Sequence, residues 1–234
     1  MKASLIVPCF NEEKNISHLL DRCEELFFGK GIEVVIVENG SNDNSYNLIN
    51  KILIKKKRLN FIKLVKVPEN LGYGHGILKG IENSSSDIIG WTHADLQTNP
   101  ADFLRAITFF DMDQHSFVKG KRFGRSFMDY FLTFGMSVFE TLLFKKRMFD
   151  INAQPTVFSK QFFKSLPTPP NDFALDLFFY FHAVQKGLTI HRFPVLFGKR
   201  FAGTSTWNTG WLARYKFIKR TIEFSLKLKR NMNV

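Results

Sequence analysis

The run Ile32-Glu33-Val34-Val35-Ile36-Val37 constrains the fold of this chain more than any other stretch. β-Branched side chains are stiff in a helix and pack well on a pleated surface. An almost unbroken apolar run, in place of alternation, marks a strand covered on both faces. Such cover comes from helices that cross over between parallel strands, so the run predicts an α/β sheet. Lys2–Val7, Phe61–Val67 and Ile88–Thr92 read as three more strands, with a helix-period stretch after the first running through Leu26. Each strand ends in a polar cluster. These are Pro8-Cys9-Phe10-Asn11-Glu12-Glu13, Glu38-Asn39-Gly40-Ser41-Asn42-Asp43, Asn70-Leu71-Gly72-Tyr73-Gly74-His75-Gly76 and Trp91-Thr92-His93-Ala94-Asp95-Leu96-Gln97. Ligands of open α/β sheets bind outside the carboxyl ends of the strands, so a site is predicted where the four clusters meet.

The fourth cluster carries the clearest chemistry. If the backbone there is extended, side chains two apart point the same way, and His93, Asp95 and Gln97 converge. An imidazole, a carboxylate and an amide oxygen together suit a divalent cation such as Mn²⁺ or Mg²⁺.

Composition sets the outer limits. A chain of 234 residues can bury a full core as one α/β domain. Cys9 and Cys23 are too few for a disulfide framework. Pro8 and Asn11–Glu13 interrupt any secretory apolar region, so a reducing cytoplasm is expected. No uninterrupted apolar run of about 18 residues is present, which gives no obvious bilayer-spanning segment. The net charge of +12 is concentrated late, at Lys145-Lys146-Arg147, Lys199-Arg200 and the residues from Arg214 to Arg230. Two helical stretches join that charge to apolar faces. In Ser126–Phe144, Asp129, Thr133, Ser137 and Glu140 fall on one side of an otherwise apolar helix. In Trp211–Arg230, the residues Trp211, Tyr215, Ile218, Ile222 and Leu226 form one stripe amid basic residues. Such helices are expected in the interface of an anionic membrane; packing on their own sheet, a membrane-protein partner or a second copy of the chain are the alternatives. No nucleic-acid-binding motif accompanies the charge, and no nucleic-acid partner is expected.

The ordered motifs resemble the inverting GT-A glycosyltransferases of family 2, with the closest likeness to dolichyl- and polyprenyl-phosphate mannosyl- and glucosyltransferases. Val7-Pro8-Cys9-Phe10-Asn11-Glu12 looks like V-P-x-[YF]-N-E, and Val37 through Ser45 looks like V-D-D-G-S-x-D-x-[ST]. Asn70-Leu71-Gly72 resembles the N-x-G loop, and His93 through Gln97 resembles D-A-D-L-Q. Lys119-Gly120-Lys121-Arg122 is similar to the G-x-R segment, and Arg200 through Ser205 to R-x-x-G-x-S. The matches run from residue 2 to about 206. Departures are His93 and Glu38, each in place of an aspartate, the loss of Gly-Phe after Asp150, and Thr206 in place of a lysine.

The resemblance implies a GT-A (Rossmann-like) mostly parallel sheet with helices on both faces. It also implies a catalytic domain over residues 1–206, with 126–147 as an interfacial helix, and a basic amphipathic helix over 207–234. The implied donor is a nucleotide-diphosphate sugar, with Mn²⁺ or Mg²⁺ on Asp95, His93 and Gln97. Arg122 and Arg200 become candidates for the phosphates. Pro8, Phe10 and Glu12 would wall the base, with Asn39 and Ala94 in the same site, and Glu38 and Asp43 would contact the nucleoside or hold its loop. Asn11 would touch the nucleotide or brace the loop. Gly40, Ser41, Gly72 and Gly76 would allow close backbone approach. A polyprenyl-phosphate acceptor needs no strong base, whereas a sugar hydroxyl on a lipid-linked or surface glycan does, with Asp150 and Asp176 as candidates. The missing aspartate leaves a catalytically inactive sugar-nucleotide-binding scaffold as a further alternative. The expected place of work is the cytoplasmic membrane face, in cell-envelope glycan synthesis.

Overall fold

The computed structural model describes residues 3–202 and 210–231. One seven-stranded sheet has the order β3-β2-β1-β4-β6-β5-β7. Its strands are β1 (Ala3–Cys9), β2 (Ile32–Asn39), β3 (Ile62–Val67), β4 (Ile88–Trp91), β5 (Ser116–Phe123), β6 (Thr156–Ser159) and β7 (Thr189–Leu196). The α-helices are α1 (Glu13–Phe27), α2 (Ser45–Lys55), α3 (Tyr73–Glu82), α4 (Ala101–Met112), α5 (Phe127–Phe144), α6 (Lys160–Lys164), α7 (Leu175–Gln185) and α8 (Trp211–Asn231). The β1–β2, β1–β4, β2–β3 and β5–β7 pairs are parallel, and β6 is antiparallel to both β4 and β5. The expected mostly parallel sheet is present, and its strand boundaries differ from the sequence-based ones by one or two residues.

The β-branched run behaves as its composition requires. Ile32, Val34 and Ile36 enter one core with α1 and α4 side chains, while Val35 and Val37 enter the other with α3 and α7. Period-two alternation thus feeds two apolar layers, because both faces are covered. Because β6 reverses between β4 and β5, the carboxyl ends of β1, β2, β3, β4, β5 and β7 all lie at one edge of the sheet.

Helices α5 and α8 lie beyond that edge and run parallel. Arg214 Nη2 is 3.5 Å from Asp129 Oδ1, and Ser225 pairs with Glu140 at the same sequence separation three turns on. Ser126 caps α5, accepting from the Asp129 N–H at 3.2 Å. The polar side of α5 faces inward: Thr133 accepts from Arg125 at 2.7 Å, and Ser137 accepts from the Asp150 N–H at 3.0 Å. Phe127, Phe131, Phe134, Val138 and Leu142 form the outward stripe, all of them exposed. Helix α5 is long and apolar enough to cross a bilayer by length and composition, which corrects the expectation that no segment is. The α8 stripe also divides. Tyr215 and Leu226 are exposed, whereas Ile218 lines a cavity and Ile222 is half-buried. The side chain of Trp211 lies outside the described residues, as do residues 203–209 with their Gly203-Thr204-Ser205 motif and Thr206.

Glu140 is fully buried at the α5–α8 contact. Ser225 Oγ is 2.6 Å from Glu140 Oε1 and 2.7 Å from the Thr221 carbonyl oxygen. One hydroxyl carries one proton, so a protonated Glu140 supplies the second bond. Burial pushes the Glu140 carboxyl up to about 7. Between about pH 4.5 and 7 the native chain holds a proton that the unfolded chain has released. Stability from this contact is therefore greatest below that window and falls as pH rises through it. Glu140→Gln should melt several degrees above the parent at pH 8, as about 2 kcal/mol would give in a domain of this size, and close to it at pH 4.5. An equal difference at the two pH values would contradict the assignment.

Candidate active site

A cavity of about 390 Å³ opens at the edge where the strands end. Pro8 reaches it from the end of β1 and Phe10 and Glu12 from the loop after it, Asn39 from the end of β2, Asn70 after β3, and His93, Ala94, Asp95 and Gln97 after β4. Arg122, Arg125 and Arg200 line it, as do Tyr73, Phe173 and Asp176. It continues between α5 and α8 along Leu132, Met136, Phe217 and Ile218.

The loops behind this lining brace one another. The Asn11 N–H donates to Ser41 Oγ at 3.0 Å, and the Asn42 N–H donates to Asn11 Oδ1 at 2.9 Å. Asp43 accepts from the N–H of Glu13 at 3.1 Å and of Ser45 at 3.0 Å, which open α1 and α2. A carboxylate is well placed there, between two helix N-termini. Glu38 accepts from the Ser41 N–H at 2.6 Å. Gly40, at φ 70°, approaches so closely that a Cβ would stand 2.6 Å from the Asn70 nitrogen; one on Gly72 would stand 2.6 Å from the Asn171 carbonyl oxygen. A Cβ on Gly76 would press on the Asn39 side chain. Asn11, Glu38, Gly40, Ser41, Asp43, Gly72 and Gly76 thus build the loops and do not line the cavity; for Asn11, Glu38 and Asp43 this is the bracing role of the two expected, and the close approach at the glycines is to neighbouring chain.

The segment after β4 is a turn, not extended backbone, with Leu96 at φ 57°. The turn brings His93, Asp95 and Gln97 to the cavity, and the Gln97 N–H donates to Asp95 Oδ1 at 3.1 Å. Gln97 Nε2 donates to the Gly198 carbonyl at 3.1 Å, tying its amide to the segment that carries Arg200. Arg200 Nη2 is 2.9 Å from Asp95 Oδ2, and Nη1 is 3.5 Å from Glu12 Oε1. Burial raises the Glu12 pKa, against the opposing Asn15 hydrogen bond and Arg200 charge. Burial lowers that of His93 against the pull of Asp95 and Asp176, leaving the neutral imidazole that metals bind. Among the described residues no three His, Cys, Asp or Glu side chains make a complete metal cage. One carboxylate and one imidazole fit a divalent cation whose remaining ligands are phosphate oxygens and water.

The two further carboxylates differ from each other. Asp150 accepts from the Arg122 backbone N–H at 2.8 Å and Nε at 2.9 Å, and from Nη2 as well. Burial would raise it, but Arg122 outweighs burial and holds it below the usual range. It does not line the cavity, and in this arrangement it is the counter-ion that orients Arg122. Asp176 does line the cavity and is paired with Lys119 at 3.1 Å, both side chains almost wholly buried. Lys119 Nζ also donates to Thr156 Oγ1 at 2.6 Å, and Gln154 Nε2 donates to Asp176 Oδ1 at 3.0 Å. Burial pushes the Lys119 ammonium down to about 8 against the pull of Asp176. Sequence reasoning missed Lys119, Tyr73, Arg125, Phe173 and Arg214. Lys119 alone carried a signal, as a charge among the apolar residues of β5.

Removing one partner of a buried pair strands the other charge, at a cost of about 3–5 kcal/mol, whereas replacing both with apolar groups is often neutral. Lys119→Met should therefore lower the denaturation midpoint sharply, and Lys119→Met with Asp176→Leu should recover most of the loss. A double variant as unstable as the sum of its singles would show that the pair is not coupled.

The sequence model described as Glycosyl transferase family 2 matches residues 4–166. Among solved structures, a Pyrobaculum calidifontis mannosyltransferase in complex with GDP-Man and Mn²⁺ superposes with a TM-score of 0.71 at 18% identity. The match covers 97% of this chain and 64% of that one, so this chain spans less than two thirds of its length. Mycobacterium tuberculosis glucosyl-3-phosphoglycerate synthase, with Mn²⁺, UDP-Glc and glycerol 3-phosphate, gives 0.73 at 17% identity over 97% and 79% of the two chains. S. aureus TarS gives 0.58 at 21% identity over 85% and 37%. The architecture is that of GT-A glycosyltransferases, as the motifs implied.

Proposed function

The chain belongs to Glycosyl transferase family 2, and we propose that it is a metal-dependent, inverting hexosyltransferase. Its donor is a nucleotide-diphosphate sugar, its acceptor polyprenyl phosphate, and its place of work the cytoplasmic face of a membrane. One observation carries this reading. A single cavity joins the Asp95–Arg200 centre to a cleft between α5, whose outer face is apolar and exposed, and α8, whose outer face sets Leu212, Tyr215 and Leu226 among exposed basic residues. A sugar nucleotide suits the strand-end half, where Pro8 and Phe10 offer apolar walls and Asn39 and Asn70 offer amides. A lipid phosphate suits the other half, where Leu132, Met136, Phe217 and Ile218 lie near Arg125 and Arg214.

A divalent cation held by Asp95 and His93 would supply Lewis-acid neutralisation of the departing diphosphate. Arg200 and Arg122 add guanidinium donors, whose planar fork matches two phosphate oxygens. The acceptor phosphate, with a second pKa near ~6, is already an anion at neutral pH and attacks the anomeric carbon opposite the leaving group. No side chain needs to take a proton. This agrees with Asp150 being engaged by Arg122 and Asp176 by Lys119. A hydroxyl acceptor on a lipid-linked glycan is the second reading, favoured by the reach of Asp176 into the cavity.

The outward apolar stripe of α5, with exposed Lys145, Lys146 and Arg147 just after it, supports docking on an anionic leaflet. Residues 1–206 then form the catalytic part, and 207–234 join α5 at the membrane. Transfer from UDP- and GDP-hexoses with Mn²⁺ to vesicles carrying polyprenyl phosphate tests the proposal. It should occur, increase with anionic lipid, and fall as salt rises, since each basic residue contributes about 1 kcal/mol and is screened. Transfer only to a soluble or lipid-linked sugar hydroxyl would overturn the acceptor. Neither transfer nor donor hydrolysis would favour an inactive binding protein.

A further inference from the structure

We infer that Arg200 is a latch that makes cation binding at Asp95 conditional on the nucleotide; this rests on reading the cavity as a nucleotide-diphosphate site. The guanidinium occupies the carboxylate that the cation would use. Its Nη2 is 2.9 Å from Asp95 Oδ2, and Nη1 reaches Glu12 Oε1 at 3.5 Å. The other Asp95 oxygen already accepts from the Gln97 N–H. A cation arriving alone therefore meets a carboxylate whose oxygens are both engaged, with a positive group within about one van der Waals contact.

Arginine does not lose its proton in proteins, so the conflict is relieved only by moving the side chain. Arg200 Nε is buried and has no hydrogen-bond partner among the described residues. Two terminal nitrogens divided between two carboxylates and an idle Nε leave the guanidinium half used. A diphosphate offers several oxygens to one planar fork, and so gives the side chain a better partner than the one it leaves. The flanking backbone is tied on both sides. The Gly198 N–H donates to the Gln97 carbonyl at 2.8 Å, and the Ala202 carbonyl accepts from Asn15 Nδ2 at 3.2 Å. The movement is thus a swing of one side chain between two anchored ends. Once it swings, Asp95 Oδ2 is open to the cation, and by linkage cation and nucleotide raise each other's affinity by the same factor.

Titrating Mn²⁺ and following the free ion by electron paramagnetic resonance, without nucleotide and with UDP or GDP, tests this on the parent, Arg200→Gln and Arg200→Lys. Melting curves first establish that each variant is folded. The parent should take Mn²⁺ weakly alone and at least tenfold more tightly with a nucleoside diphosphate. Arg200→Gln should bind Mn²⁺ alone at least tenfold more tightly than the parent, and gain less from the nucleotide. Arg200→Lys, which keeps a charge but cannot bridge two carboxylates, should lie between them. Equal Mn²⁺ affinity of parent and Arg200→Gln without nucleotide, with both binding it in the presence of UDP or GDP, would overturn the latch and leave the nucleotide site standing. A parent that takes up no Mn²⁺ even with both nucleotides would overturn that site, and the latch with it.

Discussion

Parallel strands covered on both faces are joined by helices that return the chain to the same end, so the loops after β1, β2, β3, β4 and β5 gather at one edge. The rest of the structure depends on this constraint. Side chains from positions as far apart as Phe10 and Arg122 line one cavity because the strands before them point the same way. Covering helices also leave the loop ends with unmet N–H groups at their first turns. Asp43 meets two of these, one on α1 and one on α2, and locks the first two loops into a single support.

On that support the site is a problem of charge. Asp95, Glu12 and Asp176 bring negative charge into a partly dry cavity, and each has a cationic neighbour: Arg200 for the first two and Lys119 for the third. Arg122 is held in turn by Asp150. Buried charges are tolerated only when paired, so the site's carboxylates and cations satisfy one another. The Asp95–Arg200 pair is the one we infer to be exchangeable, since it lines the cavity and leaves Nε without a partner among the described residues. The Lys119–Asp176 pair is more enclosed, with the side chains of Thr156 and Gln154 bonded around it, and reads as fixed structure.

Much of this was legible in the sequence, and the remainder was hidden for physical reasons. The run from Ile32 to Val37 could hardly be anything but a doubly covered strand, and Asp95 after β4 follows from the same logic. Side-chain direction was less accessible. Ser41 and Asp43 are polar and sit at a strand end, yet they face the neighbouring loop, because backbone N–H groups there compete for their oxygens. The left-handed turn at Leu96 could not be read from Asp95-Leu96-Gln97, since leucine seldom adopts that conformation. In α5 the polar and apolar sides were plain from spacing, but which side met solvent depended on α8. Its Arg214 and Ser225 accept the polar side and turn Phe127, Phe131 and Phe134 outward.

The central claim is that the strand-end cavity binds a nucleoside diphosphate and a divalent cation around Asp95. A crystal structure of the chain with Mn²⁺ and UDP or GDP tests it most directly. The account predicts the cation on Asp95 Oδ2, with diphosphate oxygens completing its shell and the Arg200 guanidinium moved onto the phosphates. An intact Asp95–Arg200 pair, with the nucleotide bound elsewhere or the cation on other residues, would contradict it.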